Sequence, residues 1–176
     1  MKHIFTILLV SIFVSTLAAA DFRIDISGIN GTAMKPVSAS AGTTLSQASW
    51  RGKKKSLHLS CIVQTENEWK KYSFSFVPLK DGAFYINLMS SSPKAFFACD
   101  NITVSGAVIK NGDFELLNDK KEPESWYKMK NPRFSSTDGI NGSNCTITAH
   151  NDRWHQLVKC KKGELVTITF YVRSIK

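Results

Sequence analysis

An all-β sandwich of two antiparallel sheets is the fold class that the sequence predicts, on three observations. The first is period-two alternation. Tyr72, Phe74 and Phe76 alternate with Ser73 and Ser75, and Val166, Ile168, Phe170 and Val172 alternate with Thr167, Thr169 and Tyr171. Runs with one apolar and one polar face are the mark of half-buried antiparallel strands. The second is regular punctuation by turn signals at Asp81-Gly82, Asp138-Gly139, Asn141-Gly142 and Lys162-Gly163. The third is that no segment after the first 20 residues holds a helical period.

In chain order, residues 1–20 read as a signal peptide. Lys2 and His3 form a basic start, an apolar run follows to Leu17, and Ala18-Ala19-Ala20 fits a cleavage site. The run is too short to favour a permanent span, although an uncleaved anchor is the alternative. The expected product, residues 21–176, is one exported domain, extracellular or periplasmic, with no membrane span. Residues 21–29 predict a first strand with Ile24 and Ile26 on one face. Residues 30–56 are rich in Ser, Thr, Gly and Ala and read as a long loop carrying Trp50. Strands then follow around Leu57–Cys61, Tyr72–Phe76, Phe84–Leu88 and Phe96–Val104. A Gly106 break and a further strand through Asn111-Gly112-Asp113-Phe114-Glu115 come next. Strands over Cys145–Ala149 and Val166–Val172 complete the chain. No sequence repeat is apparent.

The formal net charge is +9, with lysines clustered at Lys53-Lys54-Lys55, Lys120-Lys121 and Lys159-Lys161-Lys162. This favours anionic neighbours, or serves only to keep sheet edges from pairing. No base-stacking motif interleaves with the lysines, so nucleic acid is not an expected partner. Cys61, Cys99, Cys145 and Cys160 form an even set in an exported chain, which predicts disulfides. Three connectivities are possible. Cys145 and Cys160 are symmetric about Asp152-Arg153, so a hairpin there would pair them and leave Cys61 with Cys99.

Several motifs carry a resemblance. Phe96-x-x-x-Asp100-Asn101-Ile102-x-Val104 resembles the closing strand of galactose-binding-domain-like jelly rolls, the superfamily of many carbohydrate-binding modules. Asn111-Gly112-Asp113-Phe114-Glu115, followed by Pro123-x-Ser125-Trp126, looks like the opening strand of the same modules. Trp69 before its alternating strand, Trp154-His155-Gln156, and residues 162–173 resemble further module strands. The closing motif precedes the opening one. The resemblance therefore implies a circularly permuted jelly roll, with the usual back half at residues 21–107 and the front half at 108–176. The alternative is a fragment of a longer multi-module protein.

The resemblance also implies a structural calcium ion held by Asp100, Asp113 and Glu115, with the Asn141-Gly142-Ser143 turn beside it. The alternative is that these acids form turns. For ligand binding, the polar face of the last strand presents Thr169, Tyr171 and Arg173. His58 and Gln64 could join from their own strand, with Trp50 at an edge. A ring against a sugar face beside planar hydrogen-bonding groups is the chemistry expected. No nucleophile elbow, phosphate loop or metal-spaced histidine set occurs, which argues against an enzyme. The expected function is binding of a glycan or polysaccharide, neutral or anionic. The alternative is an adhesive or structural domain that binds a protein. Asn30, Asn101, Asn141 and Asn144 lie in N-x-S/T sequons.

Overall fold

The computed structural model describes residues 20–49 and 57–175. Among them twelve strands form two sheets of six. In chain order the strands are β1 (Phe22–Gly28), β2 (Met34–Ala39), β3 (Thr43–Ser49), β4 (Leu57–Val63), β5 (Lys70–Pro78) and β6 (Gly82–Ser90). They continue with β7 (Phe96–Ser105), β8 (Tyr127–Met129), β9 (Arg133–Ser135), β10 (Cys145–Thr148), β11 (Arg153–Cys160) and β12 (Val166–Ile175). Sheet A runs β3-β4-β1-β6-β11-β8 and sheet B runs β2-β5-β12-β7-β10-β9, with every pairing antiparallel. Residues before and after position 107 contribute strands to both sheets, and in sheet B they interleave.

Alternation places the core as the sequence predicts. Phe22, Ile24 and Ile26 of β1 and Phe84, Ile86 and Leu88 of β6 are buried against Phe74, Phe76, Val166, Ile168, Phe170 and Val172 of sheet B. Rings interlock between the layers: Phe22 lies 5.8 Å from Phe170, and Phe76 meets Phe84 edge-on at 5.3 Å. Such aromatic pairs add about 0.5–1.5 kcal/mol beyond their buried area.

Four sequence expectations need correction. Residues 30–56 are not one loop, since they hold β2 and β3. The second strand expected after Gly106 is absent. Residues 106–126 form a compact loop whose only bridge joins Leu117 to Pro123. Phe114 anchors it at φ 62°, buried against Trp126 at 5.1 Å. Asn111 ties it together: its side chain bonds the backbone at Leu116 and Glu124, and its carbonyl accepts the Trp126 indole N–H at 2.9 Å.

The β10 alternation is inverted with respect to the core. Thr146 pairs with Cys99, so the threonines face the opposing sheet while Cys145 and Ile147 face outward. The inward hydroxyls are satisfied: Thr148 donates to the Leu88 carbonyl of sheet A at 2.7 Å, and Thr146 to that of Cys99 at 3.1 Å.

The disulfides are the fourth. All four cysteines are buried and free. β10 and β11 belong to opposite sheets, so residues 149–152 turn a corner between layers and make no hairpin to set Cys145 opposite Cys160. Cys61 and Cys99 both face the core, from sheets A and B. Burial pushes the Cys61 and Cys145 thiols up to about 12, as expected of inert thiols.

A repeat that alternation does not reveal is also present. Gly28-Ile29-Asn30-Gly31-Thr32 and Gly139-Ile140-Asn141-Gly142-Ser143 fold as the same turn. In each the central Asn is left-handed, at φ 52° and 57°, and the closing hydroxyl donates to the Ile carbonyl at 2.7 Å. The leading glycines are required, since a Cβ would fall 1.7 Å from Thr32 O at Gly28 and 2.5 Å from Ser143 O at Gly139.

Candidate functional site

Strand register places side chains on the outer face of sheet A in rows that cross it. One row reads Ser46, Ser60, Asp25, Asn87, His155, Tyr127, and the next reads His58, Ser27, Tyr85, Leu157. On the other side lie Ile62, Arg23 and Met89, with Arg153 level with Met89 because Trp154 pairs with Leu88. All are the polar-face residues of strands whose alternate members fill the core.

This face is polar in its middle and aromatic at one end. Ser60 donates to Asp25 Oδ1 at 2.5 Å, and the Asn87 amide donates to the Asp25 carbonyl at 3.0 Å and to Ser27 Oγ at 3.3 Å. Ser27 Oγ and His58 Nδ1 share a hydrogen bond at 2.8 Å. The His155 ring stands edge-on to Tyr85 at 5.5 Å and lies 5.9 Å from the ring of Tyr127, a residue 63 % exposed. Burial, helped by the Arg153 charge, lowers the His155 pKa below its ordinary 6.5, so the ring is held neutral at physiological pH.

Three nitrogens on this face are buried without a hydrogen-bond partner: Arg23 Nε, Arg153 Nε and His155 Nδ1. A buried donor left unmade costs about 1–3 kcal/mol, so three on one surface need a reason.

Tyr127 and Leu157 continue this face into an open groove of about 890 Å³. It opens because β8 pairs only with Arg153–His155, leaving the rest of β11 with β6 alone. The 106–126 loop forms the far wall, clamped by a reciprocal pair between the Gln156 amide and the Lys110 backbone at 2.8 Å each way. Ala107, Val108, Leu157 and Cys160 supply apolar surface, and Lys110, Lys159 and Lys161 supply charge.

The residues singled out from sequence do not assemble into one site. Thr169, Tyr171 and Arg173 lie on the outer face of sheet B, whereas His58 is on the outer face of sheet A and Gln64 just beyond the end of β4. Arg173 is already engaged, over the Trp69 ring at 5.3 Å and donating to the Asp138 carbonyl at 3.2 Å. Trp50, like Lys53, Lys54 and Lys55, lies outside the described residues. Arg23, Asp25, Tyr85, Asn87, Tyr127, Arg153 and His155 are candidates that only the strand register brings to one face. Their signal was the polar half of alternating runs whose apolar half drew attention.

Asp100 and Glu115 do converge, on the second Gly-Ile-Asn-Gly turn. Asp100 accepts from the Asn101 N–H at 2.6 Å, the Ile140 N–H at 2.9 Å and the Ser143 hydroxyl at 3.1 Å, and Glu115 accepts from the Asn144 N–H at 2.9 Å. Asp113 only closes its own turn, on the Glu115 N–H at 3.5 Å. Calcium takes six to eight oxygens. Here the carboxylates face hydrogen-bond donors, and no group of three or more His, Cys, Asp or Glu among the described residues could hold a metal. The arrangement does not fit an ion cage. Burial raises the Asp100 pKa, against the pull of its three donors and with a contribution from Glu115.

No family model, curated protein or solved structure matches this chain.

Proposed function

We propose that this is an exported, non-catalytic carbohydrate-binding domain, a permuted jelly roll, whose binding surface is the outer face of sheet A. The observation that supports it most is the row Asp25, Asn87, His155, Tyr127. It sets planar hydrogen-bonding groups beside aromatic rings on a rigid sheet. Sugars present an apolar C–H face to a ring and hydroxyls to planar amides and carboxylates, so this surface has both halves of the needed chemistry. The groove beyond Tyr127 and Leu157 extends the surface to accommodate several sugar units.

A glycan array followed by calorimetry tests the reading. Tyr127→Ala removes an exposed ring and leaves the core untouched, so it should weaken binding at least tenfold without moving the melting temperature. Unchanged affinity in Tyr127→Ala, with the same oligosaccharide bound, would place the site elsewhere.

One observation favours a second reading, binding of an extended polypeptide. The β11 edge beside the groove has backbone groups facing away from β6, and Val108 and Leu157 there are 77 % and 45 % exposed. An added strand would use both. Protection of the Leu157–Cys160 amides from hydrogen exchange by a peptide, and not by oligosaccharides, would select it.

A further inference from the structure

We propose that Arg23 and Arg153 form a subsite for an acidic substituent, a carboxylate or a sulfate ester, on a glycan lying across sheet A. This rests on the carbohydrate reading above and names the class of sugar. The two arginines stand level on β1 and β11, one on each side of Met89 on β6. Strands lie about 4.8 Å apart, so the two backbones are separated by about 10 Å. Arginine stems of ordinary length reach the middle of that gap, and an oxyanion above Met89 would lie within reach of both forks. Met89 is only 8 % exposed although it points outward, which suits the floor of a pocket more than open surface.

Neither arginine has a hydrogen bond or an ion pair among the described residues. Each Nε is out of reach of solvent. The terminal nitrogens are not among the buried unpaired atoms, so they meet water. A guanidinium packed along its stem, with its fork open and unpaired, is preorganised for a bidentate oxyanion. The acids of this face do not neutralise the pair. Asp25, two residues along from Arg23, is drawn toward β4 by Ser60, away from Arg153. Asp21 lies just before β1, and its Oδ1 is itself buried and unpaired. Arg133 and Arg173 on sheet B provide the contrast, because both are stacked on rings, at 4.2 Å from Phe96 and 5.3 Å from Trp69.

The test measures binding of matched oligosaccharides that are neutral, uronate-bearing or sulfated to the purified protein, and to Arg23→Gln and Arg153→Gln. A charged series that binds at least tenfold tighter than the neutral one is expected. Each substitution should remove most of that advantage, read as the ratio of charged to neutral affinity within each variant. Preference for uronate or for sulfate identifies which oxyanion is used. Equal affinity for charged and neutral sugars overturns the inference while leaving carbohydrate binding in place, and so does an advantage that survives both substitutions. If no glycan binds, the carbohydrate reading fails first. The subsite is then judged by the Nε–Hε resonances of the two arginines during titration with inorganic sulfate. Shifts confined to Arg23 and Arg153 support an anion subsite, and their absence ends it.

Discussion

The outer faces of the two sheets are built from the same pattern, the polar half of alternating strands, and they have different fates. On sheet B several of these groups find partners within the protein. Ser75 and Thr167 share a hydrogen bond at 2.8 Å, Lys71 lies over Tyr171 at 5.8 Å, and Arg133 and Arg173 stack on rings. Beneath them Ala98 and Cys145 are fully buried in a second, smaller core with Ile147. On sheet A, Arg23, Arg153 and His155 keep nitrogens that nothing in the protein satisfies. The contrast teaches that exposure and polarity do not mark a binding face. What separates the two is that folding leaves the guanidinium groups of Arg23 and Arg153 unpaired on sheet A and stacks those of Arg133 and Arg173 on sheet B.

The largest effect expected from breaking this comparison is on sheet B. Asp100→Ala leaves the Asn101 and Ile140 N–H groups without their acceptor and should cost about 3 kcal/mol. Urea unfolding should show this loss with glycan binding intact, and the melting curve should be the same in calcium and in chelator. A rise in melting temperature with calcium would show that these carboxylates do hold an ion, and the hydrogen-bond reading of the turn would fall.

A smaller effect of opposite sign is expected on sheet A. Arg153→Leu removes an unsatisfied buried donor and keeps apolar bulk, so stability should hold or rise by up to about 1 kcal/mol. Affinity for an acidic glycan should fall in the same protein. A stability loss above about 1 kcal/mol would mean that Arg153 is structural, and the distinction between the faces would weaken.

The smallest effect concerns His155. Its folded pKa lies below the unfolded value, so between the two the unfolded chain binds a proton that the native protein does not. Its contribution is fully present above about 6.5 and is lost as pH falls through the folded pKa. Denaturant midpoints from pH 7.5 down to 5 should decline less for His155→Gln than for the parent. Parallel declines would place the ring in ordinary solvent.

Alternation, turn signals and the absence of helical periods determined the sandwich, its antiparallel pairing and most of its core, because burial of one strand face is a local, period-two property. Phe22, Ile24, Phe74, Phe170 and Val172 were legible for that reason. The polar members of the same runs were legible as exposed, but not as partners of one another. Which sheet a strand joins depends on the corners between layers, and the Ala149–Asp152 corner, read as a hairpin, misplaced Cys145 relative to Cys160. Sequence alone likewise does not tell Arg173, engaged by Trp69 and Asp138, from the unpaired Arg23 and Arg153. Tertiary structure alone decided that Trp69 and Asp138 occupy the first while the other two are left unpaired, since that depends on residues far apart in the chain arriving at one face.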